Sequence, residues 1–335
     1  MRDPALLWGP ENKGAARCRL CSHRCRIPES GRGVCRVRVN DAGKLYTLNY
    51  GRAVSAGCDP VEKKPLYHFL PGTLTYSVAA AGCNFRCGFC QNWEISQSDG
   101  SDLLSGSLNL SPEKIVSKAI SSGAQSISYT YSEPTVFFEY ALDTAREGSR
   151  EGLKNIFVTN GFMTPEALEM ITPFLDAASV DLKFFSDNSY RDICGGRLEP
   201  VLNTLRIMKE SGIRLEVTTL IIPELNDSES ELSDISGFIA GLGPEVPWHI
   251  SRFFPCYRFT DSPPTPSETV KKAADIGARA GLRYVYPGNV SWDTDTRCPG
   301  CGASVIRRTG YSVSEIKINP EGRCMLCGAG TDVKM

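Results

Sequence analysis

The sequence predicts an α/β fold built on a parallel sheet, and three observations carry that expectation. Strand-like and helix-like stretches alternate from Thr73 to Tyr286. Helix starts marked by Ser or Thr, several followed by proline, recur between the strands. The first of these strands runs into a loop with three cysteines spaced C-x3-C-x2-C: Cys83, Cys87 and Cys90.

Each element has a local reason. Leu74 to Ala80 reads as the strand entering the cysteine loop. Ser111-Pro112-Glu113 is a helix start, Ile115, Val116, Ala119 and Ile120 mark one face, and Gly123 closes the helix. Ile127 to Tyr131 is a strand, followed by a helix from Pro134 to Glu147. Ile156 to Thr159 is a strand, Thr164-Pro165-Glu166 caps a helix, and Ala178 to Leu182 is a strand. Val201, Leu202, Leu205 and Met208 stripe a helix that ends at Gly212, before the strand Ile213 to Ile221. Ser228 with Glu231 forms a capping box for a helix through Leu242. Trp248 to Phe254 is a strand, Thr265-Pro266-Ser267-Glu268 caps a helix, and Leu282 to Tyr286 is the last strand. Six or more strand–helix units in succession imply right-handed crossovers and a full or partial barrel.

In such folds chemistry collects at the C-terminal ends of the strands. The cysteine loop lies there, and the same rule selects Glu133, Asn160 with Gly161, Asp181 with Lys183, and His249 with Arg252. Each also has a bland reading as a cap, a turn or a surface pair. Their convergence on one rim favours a shared ligand site.

Composition bounds the function. The chain has 335 residues, 41% hydrophobic and 22% charged, enough for a full core. A net charge of −1 provides no global field toward nucleic acid or membrane. No apolar run reaches the length of a membrane span, and Met1-Arg2-Asp3-Pro4 begins no signal core, so a cytoplasmic location is expected. In a reducing compartment fourteen cysteines point to metal rather than to disulfides.

Eleven of these cysteines fall into three groups. Cys18, Cys21, Cys25 and Cys35 can close a site that binds zinc, iron or a second cluster; spacing leaves the metal open. Seven arginines share that stretch: Arg17, Arg19, Arg24, Arg26, Arg32, Arg36 and Arg38. They admit an RNA-binding knuckle, although a solvated structural cap suits the neutral chain better. Cys298, Cys301, Cys324 and Cys327 form two C-x2-C knuckles 22 residues apart, a zinc-ribbon pattern, with hairpin material at Tyr311 to Ile318 and Asn319 to Gly322. The central group offers three thiolates. It is either a reactive cluster with one iron lacking a protein ligand, or a zinc knuckle borrowing a fourth cysteine. Because each flanking group can close its own site, the loop need not borrow.

Between these groups, Asp59 to Phe69 reads as an extended crossing segment, with His68 packed or hydrogen-bonded. Trp292 to Thr296 reads as a linker that would let the ribbon move. The expected organisation is a cysteine- and arginine-rich cap and crossing segment at 1–70, a barrel at 71–290, and a ribbon-like module at 291–335.

The strings Ala81-Gly82-Cys83-Asn84-Phe85-Arg86-Cys87 and Phe89-Cys90-Gln91-Asn92-Trp93-Glu94-Ile95-Ser96-Gln97 resemble radical S-adenosylmethionine (SAM) enzymes. More narrowly, they resemble those of the AmmeMemoRadiSam system, relatives of pyruvate formate-lyase activating enzymes. Asp59-Pro60-Val61-Glu62-Lys63-Lys64-Pro65, Ile193-Cys194-Gly195 and His249-Ile250-Ser251-Arg252-Phe253 extend the likeness. The resemblance implies a partial (β/α)6 barrel with a [4Fe–4S] cluster on Cys83, Cys87 and Cys90 and SAM on its open iron. It implies reductive cleavage to a 5′-deoxyadenosyl radical that abstracts hydrogen. By position it places Glu133 at the cofactor's amino group, Asn160, Asp181, Lys183 and His249 around SAM, and Phe89 by the adenine. It also implies a low-potential donor of flavodoxin or ferredoxin type and, by analogy with activases, a protein glycine as one candidate substrate. Modification of RNA or of a small metabolite, and a non-enzymatic metal-stabilised binding module, are the alternatives. The chain departs from the pattern in reading Tyr131-Ser132-Glu133-Pro134 for Gly-Gly-Glu-Pro, and in Phe254 and Cys256 beyond the sixth strand.

Overall fold

A computed structural model describes residues 3–97 and 106–335. Met1 and Arg2, read above for the lack of a signal core, lie outside the described residues. The central sheet is open and mostly parallel. Its strands are β1 (Arg52–Pro60), β2 (Leu74–Ala80), β3 (Ser126–Tyr129), β4 (Lys154–Thr159), β5 (Ala177–Asp181), β6 (Arg214–Ile221), β7 (Trp248–Arg252) and β8 (Val285–Gly288). From β2 to β8 they pair in chain order, all parallel. The sheet has an antiparallel extension that the sequence reading lacked. β1 pairs with β2, and a two-residue strand, Leu108–Asn109, pairs with β1 at the edge.

The crossovers carry α1 (Pro112–Ser121), α2 (Phe138–Arg150), α3 (Pro165–Ile171), α4 (Leu198–Glu210), α5 (Glu229–Leu242) and α6 (Ser267–Arg279). α1 starts as expected, with Ser111 Oγ accepting from the Lys114 N–H. Its buried face is Pro112, Ile115, Val116 and Ala119, while Ile120 is exposed. Ile120 sits at the far edge of the stripe on a helix that ends one residue later. Ser228 caps α5, but the Glu231 carboxylate does not return to it; it accepts from the Phe185 N–H instead. No side chain caps α6. Thr265 instead donates its hydroxyl to the Ile221 carbonyl and accepts from the Phe253 N–H.

The two faces of the sheet differ. Tyr76, Val78 and Ala80 join the main hydrophobic core. Thr75 and Ser77 alternate with them on β2 and bond Ser128 and Asp59. On that polar side the segment after β1 passes through a short 3-10 turn, Val61–Lys63, and packs Val61, Leu66 and Phe69 against Ile156 and Ala177. It then offers the N–H groups of Tyr67 and His68 to Glu216, at 3.0 and 2.7 Å.

The cysteine-rich ends are small antiparallel sheets. Residues Trp8–Pro10, Ala16–Cys18 and Arg26–Ile27 form one, and Asp3–Pro4, Lys44–Thr47 and Arg38–Asp41 another. Buried Arg38 meets Glu139 of α2 at 2.7 Å, fastening this end to the sheet's helical layer. At the other end the hairpin is Ser304–Thr309 with Ser312–Ile316, earlier in the chain than expected. The expected linker is no free tether. Thr296 is buried, its hydroxyl 2.9 Å from Tyr286 Oη, and Asp295 binds Ser304 and the Arg308 N–H. Arg308 donates to the Tyr67 carbonyl at 2.8 Å. No helix among the described residues is long and apolar enough to cross a membrane.

Candidate active site

The cysteine loop leaves the C-terminal end of β2 through Gly82, whose φ of +106° suits glycine alone. The loop is held by polar groups from neighbouring strands. Asn160, just beyond β4, donates to Asn84 Oδ1 at 2.7 Å and points the same amide at Cys83 Sγ, 3.7 Å away. The Phe85 N–H donates to Cys83 Sγ at 3.3 Å, and Cys90 Sγ lies 3.1 Å from Ser96 Oγ. Donors aimed at sulfur stabilise thiolates and tune the metal they hold.

A second segment approaches the loop. A π-turn, Tyr190–Cys194, follows β5, and the Cys194 carbonyl accepts from the Arg86 N–H at 2.7 Å. A Cβ on Gly196 would stand 2.3 Å from the Phe85 ring, so this approach needs glycine. The turn brings the buried Cys194 thiol beside Cys87. That neighbour, outweighing burial, lowers the Cys87 pKa, and Lys183 lowers it further. Burial pushes Cys83 well above the ordinary thiol value, with Glu133 adding to the effect. Burial also raises Cys90, against the Ser96 bond.

Lys183 and Asp181 form a 2.7 Å pair at the end of β5. Burial disfavours the Lys183 charge, but Asp181, Cys87 and Cys194 outweigh it and raise its pKa well above the usual lysine value. Lys183 Nζ also lies 5.9 Å from the centre of the Phe89 ring. Phe89 is buried edge-on against Phe184 and Phe259. Asn160, Asp181, Lys183 and Phe89 thus gather around the cysteine loop.

Glu133 and His249 are each held by protein partners. The Glu133 carboxylate is fully engaged: Oε1 accepts from Thr135 N–H, Thr135 Oγ1 and Thr159 Oγ1, and Oε2 from the Asn160 N–H. It ties the ends of β3 and β4 together, beside the cluster of thiols, with its pKa raised by burial. His249 is held from the side of β6. It is the second residue of β7, in register with Thr218 and Tyr286, and its Nε2 lies 2.6 Å from Glu216. Tyr67 and Tyr286 pack on its ring. Through Thr218 it is level with Asp181, the last residue of β5.

Sequence reasoning missed two further contributors. Cys256 donates to the Cys90 carbonyl at 3.5 Å, the Arg258 N–H donates to the Gly88 carbonyl at 2.9 Å, and Tyr257 stacks on Trp93. A Cβ on Gly88 would stand 2.4 Å from the Phe259 ring. The signal available was the aromatic run after β7. The second is Asp59, which accepts from Lys63, Lys64, Ser77 and Tyr131. Tyr131 has a φ of +65°, unusual for a bulky residue, just before Glu133.

The model of the radical SAM superfamily matches residues 78–234, from within β2 into α5. An uncharacterized protein of Methanocaldococcus jannaschii is 42% identical over 337 residues, covering 99% of both chains. This chain belongs to the radical SAM superfamily. Among more distant relatives of this radical SAM chain, the pyruvate formate-lyase-activating enzyme of Clostridium pasteurianum is 21% identical over 181 residues, 51% of this chain and 71% of that one. A crystallised domain of a pyruvate-formate lyase-activating enzyme from Bacteroides vulgatus aligns with a TM-score of 0.43 and 19% identity, covering 50% of this chain and 100% of that one.

The family implies a [4Fe–4S] cluster and SAM, and the residues present fit a cluster. Three thiols interact across one loop, sulfur-directed donors surround them, and Asn84 Nδ2 is buried without a partner. The C-terminal cysteines are arranged for a single ion. The sulfurs of Cys298, Cys301, Cys324 and Cys327 all lie within 4.8 Å of one another, a set that can hold one metal ion.

Proposed function

We propose that this radical SAM enzyme holds its [4Fe–4S] cluster on Cys83, Cys87 and Cys90 and abstracts hydrogen from a substrate at the C-terminal ends of a partial (β/α)6 barrel. The observation that carries the reading is the convergence of Asn160, Lys183 and Cys194 on the three-cysteine loop. When bound, the cluster and SAM together supply the one-electron cleavage that yields methionine and the hydrogen-abstracting 5′-deoxyadenosyl radical. The chain's own residues do the positioning. Asn160 and the Phe85 N–H orient Cys83, Cys194 and Lys183 favour the thiolate of Cys87, and Ser96 steadies Cys90. Lys183 carries a partly buried positive charge suited to a carboxylate, and Asp181 fixes its direction. Phe89 provides an apolar wall beside them.

The activating enzymes among the relatives support hydrogen abstraction from a protein glycine, with a flavodoxin- or ferredoxin-type donor as reductant. The RNA reading loses much of its basis. Arg17 and Arg26 both pair with Glu11, Arg24 with Glu166 and Arg38 with Glu139. The cysteines at 18–35 then serve a metallated cap, and those at 298–327 a zinc ribbon. Anaerobic reconstitution with dithionite and SAM tests the reading. 5′-Deoxyadenosine is expected from wild type and not from C87A; its absence with an intact cluster on wild type would sink the proposal.

A further inference from the structure

We infer that Asp59 and Lys64 are positioning residues for the cysteine loop, acting by holding Tyr131 in a strained turn that sets where Ser132 and Glu133 reach. The clamp itself stands without the proposed activity; its bearing on a bound cluster rests on that reading.

Tyr131 lies two residues beyond β3 and has a φ of +65°. The Ser132 N–H donates to the Thr130 carbonyl at 2.8 Å, closing a three-residue turn around it. With positive φ at its centre, such a turn is the rare and strained form. That region is costly for a side chain with a Cβ and nearly free for glycine. A tyrosine there needs a partner that holds it.

The partner comes from the end of β1 and the segment after it. Tyr131 Oη donates to Asp59 Oδ2 at 2.5 Å. Lys64 Nζ donates to the same oxygen at 2.7 Å and to Tyr131 Oη at 3.2 Å, and it lies 4.3 Å from the centre of the Tyr131 ring. Lys63 Nζ takes Asp59 Oδ1, and Ser77 Oγ of β2 donates to Oδ2, both at 2.7 Å. Burial disfavours the Asp59 charge, but these donors outweigh it and hold its pKa below the usual carboxylate range. A carboxylate fixed by four side chains on two strands and a turn is a rigid anchor for the Tyr131 hydroxyl.

The turn delivers neighbouring side chains to two flanks of the cysteine loop. Ser132 Oγ donates to the carbonyl of Ala80, three residues before Cys83, at 2.6 Å. Glu133 Oε2 accepts from the Asn160 N–H at 2.8 Å, and the Asn160 amide holds Asn84 inside the loop. Extended backbone sends successive side chains to opposite faces, so a Tyr131 relaxed to negative φ would redirect both residues.

The test compares Y131F with Y131G. Y131F keeps the Cβ and the ring but loses the bond to Asp59. Y131G loses the whole side chain and, with it, the strain. If Tyr131 only packs, the larger truncation does more harm; the clamp predicts the reverse. Hydrogen exchange read by mass spectrometry on metal-free protein should be about tenfold faster at residues 80–97 in Y131F than in wild type, and within about twofold of wild type in Y131G. Peptides from α5 and α6 should exchange alike in all three. Y131F at the wild-type rate, or Y131G as fast as Y131F, overturns the clamp. Should Y131F fail to fold, D59N and D59N/Y131G put the same question. D59N should speed exchange of the loop, and the added glycine should restore it; no restoration overturns the clamp. After anaerobic reconstitution, a chelator should strip iron from Y131F faster than from wild type or Y131G. Equal stripping from all three overturns the bearing on the cluster. A wild type that takes up no iron counts against the proposed cluster of the loop, while the exchange order still decides the clamp.

Discussion

Asn160, one residue past the end of β4, donates its side-chain amide to Asn84 Oδ1 inside the cysteine loop, 2.7 Å away. Its own Oδ1 accepts from the Phe162 N–H at 3.0 Å, so one side chain registers the loop against the strand end. N160A leaves both partners buried and unpaired. A loss of about 1–3 kcal/mol is expected in urea denaturation, with faster iron loss from the reconstituted protein to a chelator. An unchanged midpoint and unchanged iron retention would show that the loop holds its shape without Asn160.

Cys194 should set the reduction potential of the cluster bound through Cys87, since its thiol lies beside that residue and a donor to a cluster sulfur stabilises the reduced state. C194A should move the midpoint to lower potential, and C194S, which keeps a donor, should move it less. An EPR-monitored redox titration with verified iron content reads this. If C194A titrates with wild type, the thiol is only packing.

Arg308 and Glu62 form a wholly buried pair with 3.9 Å between Nε and Oε1. Arg308 also donates to the Tyr67 carbonyl and to Thr296 Oγ1. R308M should cost about 3 kcal/mol by chemical denaturation, and adding E62Q should recover part of it. Additive effects would mean that the two groups do not act on each other.

The C-terminal sulfurs should release one ion per chain to a strong chelator, with a fall in melting temperature. C301S should melt at the lowered temperature from the start and respond no further. Calorimetry with metal analysis distinguishes this from a general effect of the chelator.

His68 should make stability depend on pH. Burial pushes its pKa down from 6.5 to about 4, against Glu216, with Arg308 and His249 also acting on it. The folded protein thus keeps His68 neutral, bonded to Tyr286 Oη at 2.7 Å. Its contribution is complete above pH 6.5 and is lost as pH falls toward 4, about 3 kcal/mol in all. The wild-type minus H68Q difference in unfolding free energy should shrink over that window. A flat difference would assign the acid sensitivity elsewhere.

Local signals were readable before the fold. Pro112 and Thr164 announce their helices, and the cysteine spacing marks the loop, because caps and ligand spacings act within a few residues. Long-range partners were not readable. His249 pairs with Glu216, 33 residues away, because strand register brings them together, and residue type alone names no such partner. The arginines near the first cysteines look like a binding surface until Glu166 answers Arg24 across 142 residues and Glu139 answers Arg38 across 101. Cys194 carried its family string but no sign that a π-turn would aim it at Cys87.

The docking of the cap fixes an order of events in biosynthesis. Residues 16–38 leave the ribosome first, yet Ser22 binds at Met163, 141 residues later, and His23 at Asn84. Their four thiols therefore stay exposed through the synthesis of at least four sheet strands. Any reagent that reacts with thiols has its easiest access to them in that interval, before Asn84 and Met163 fold against this segment.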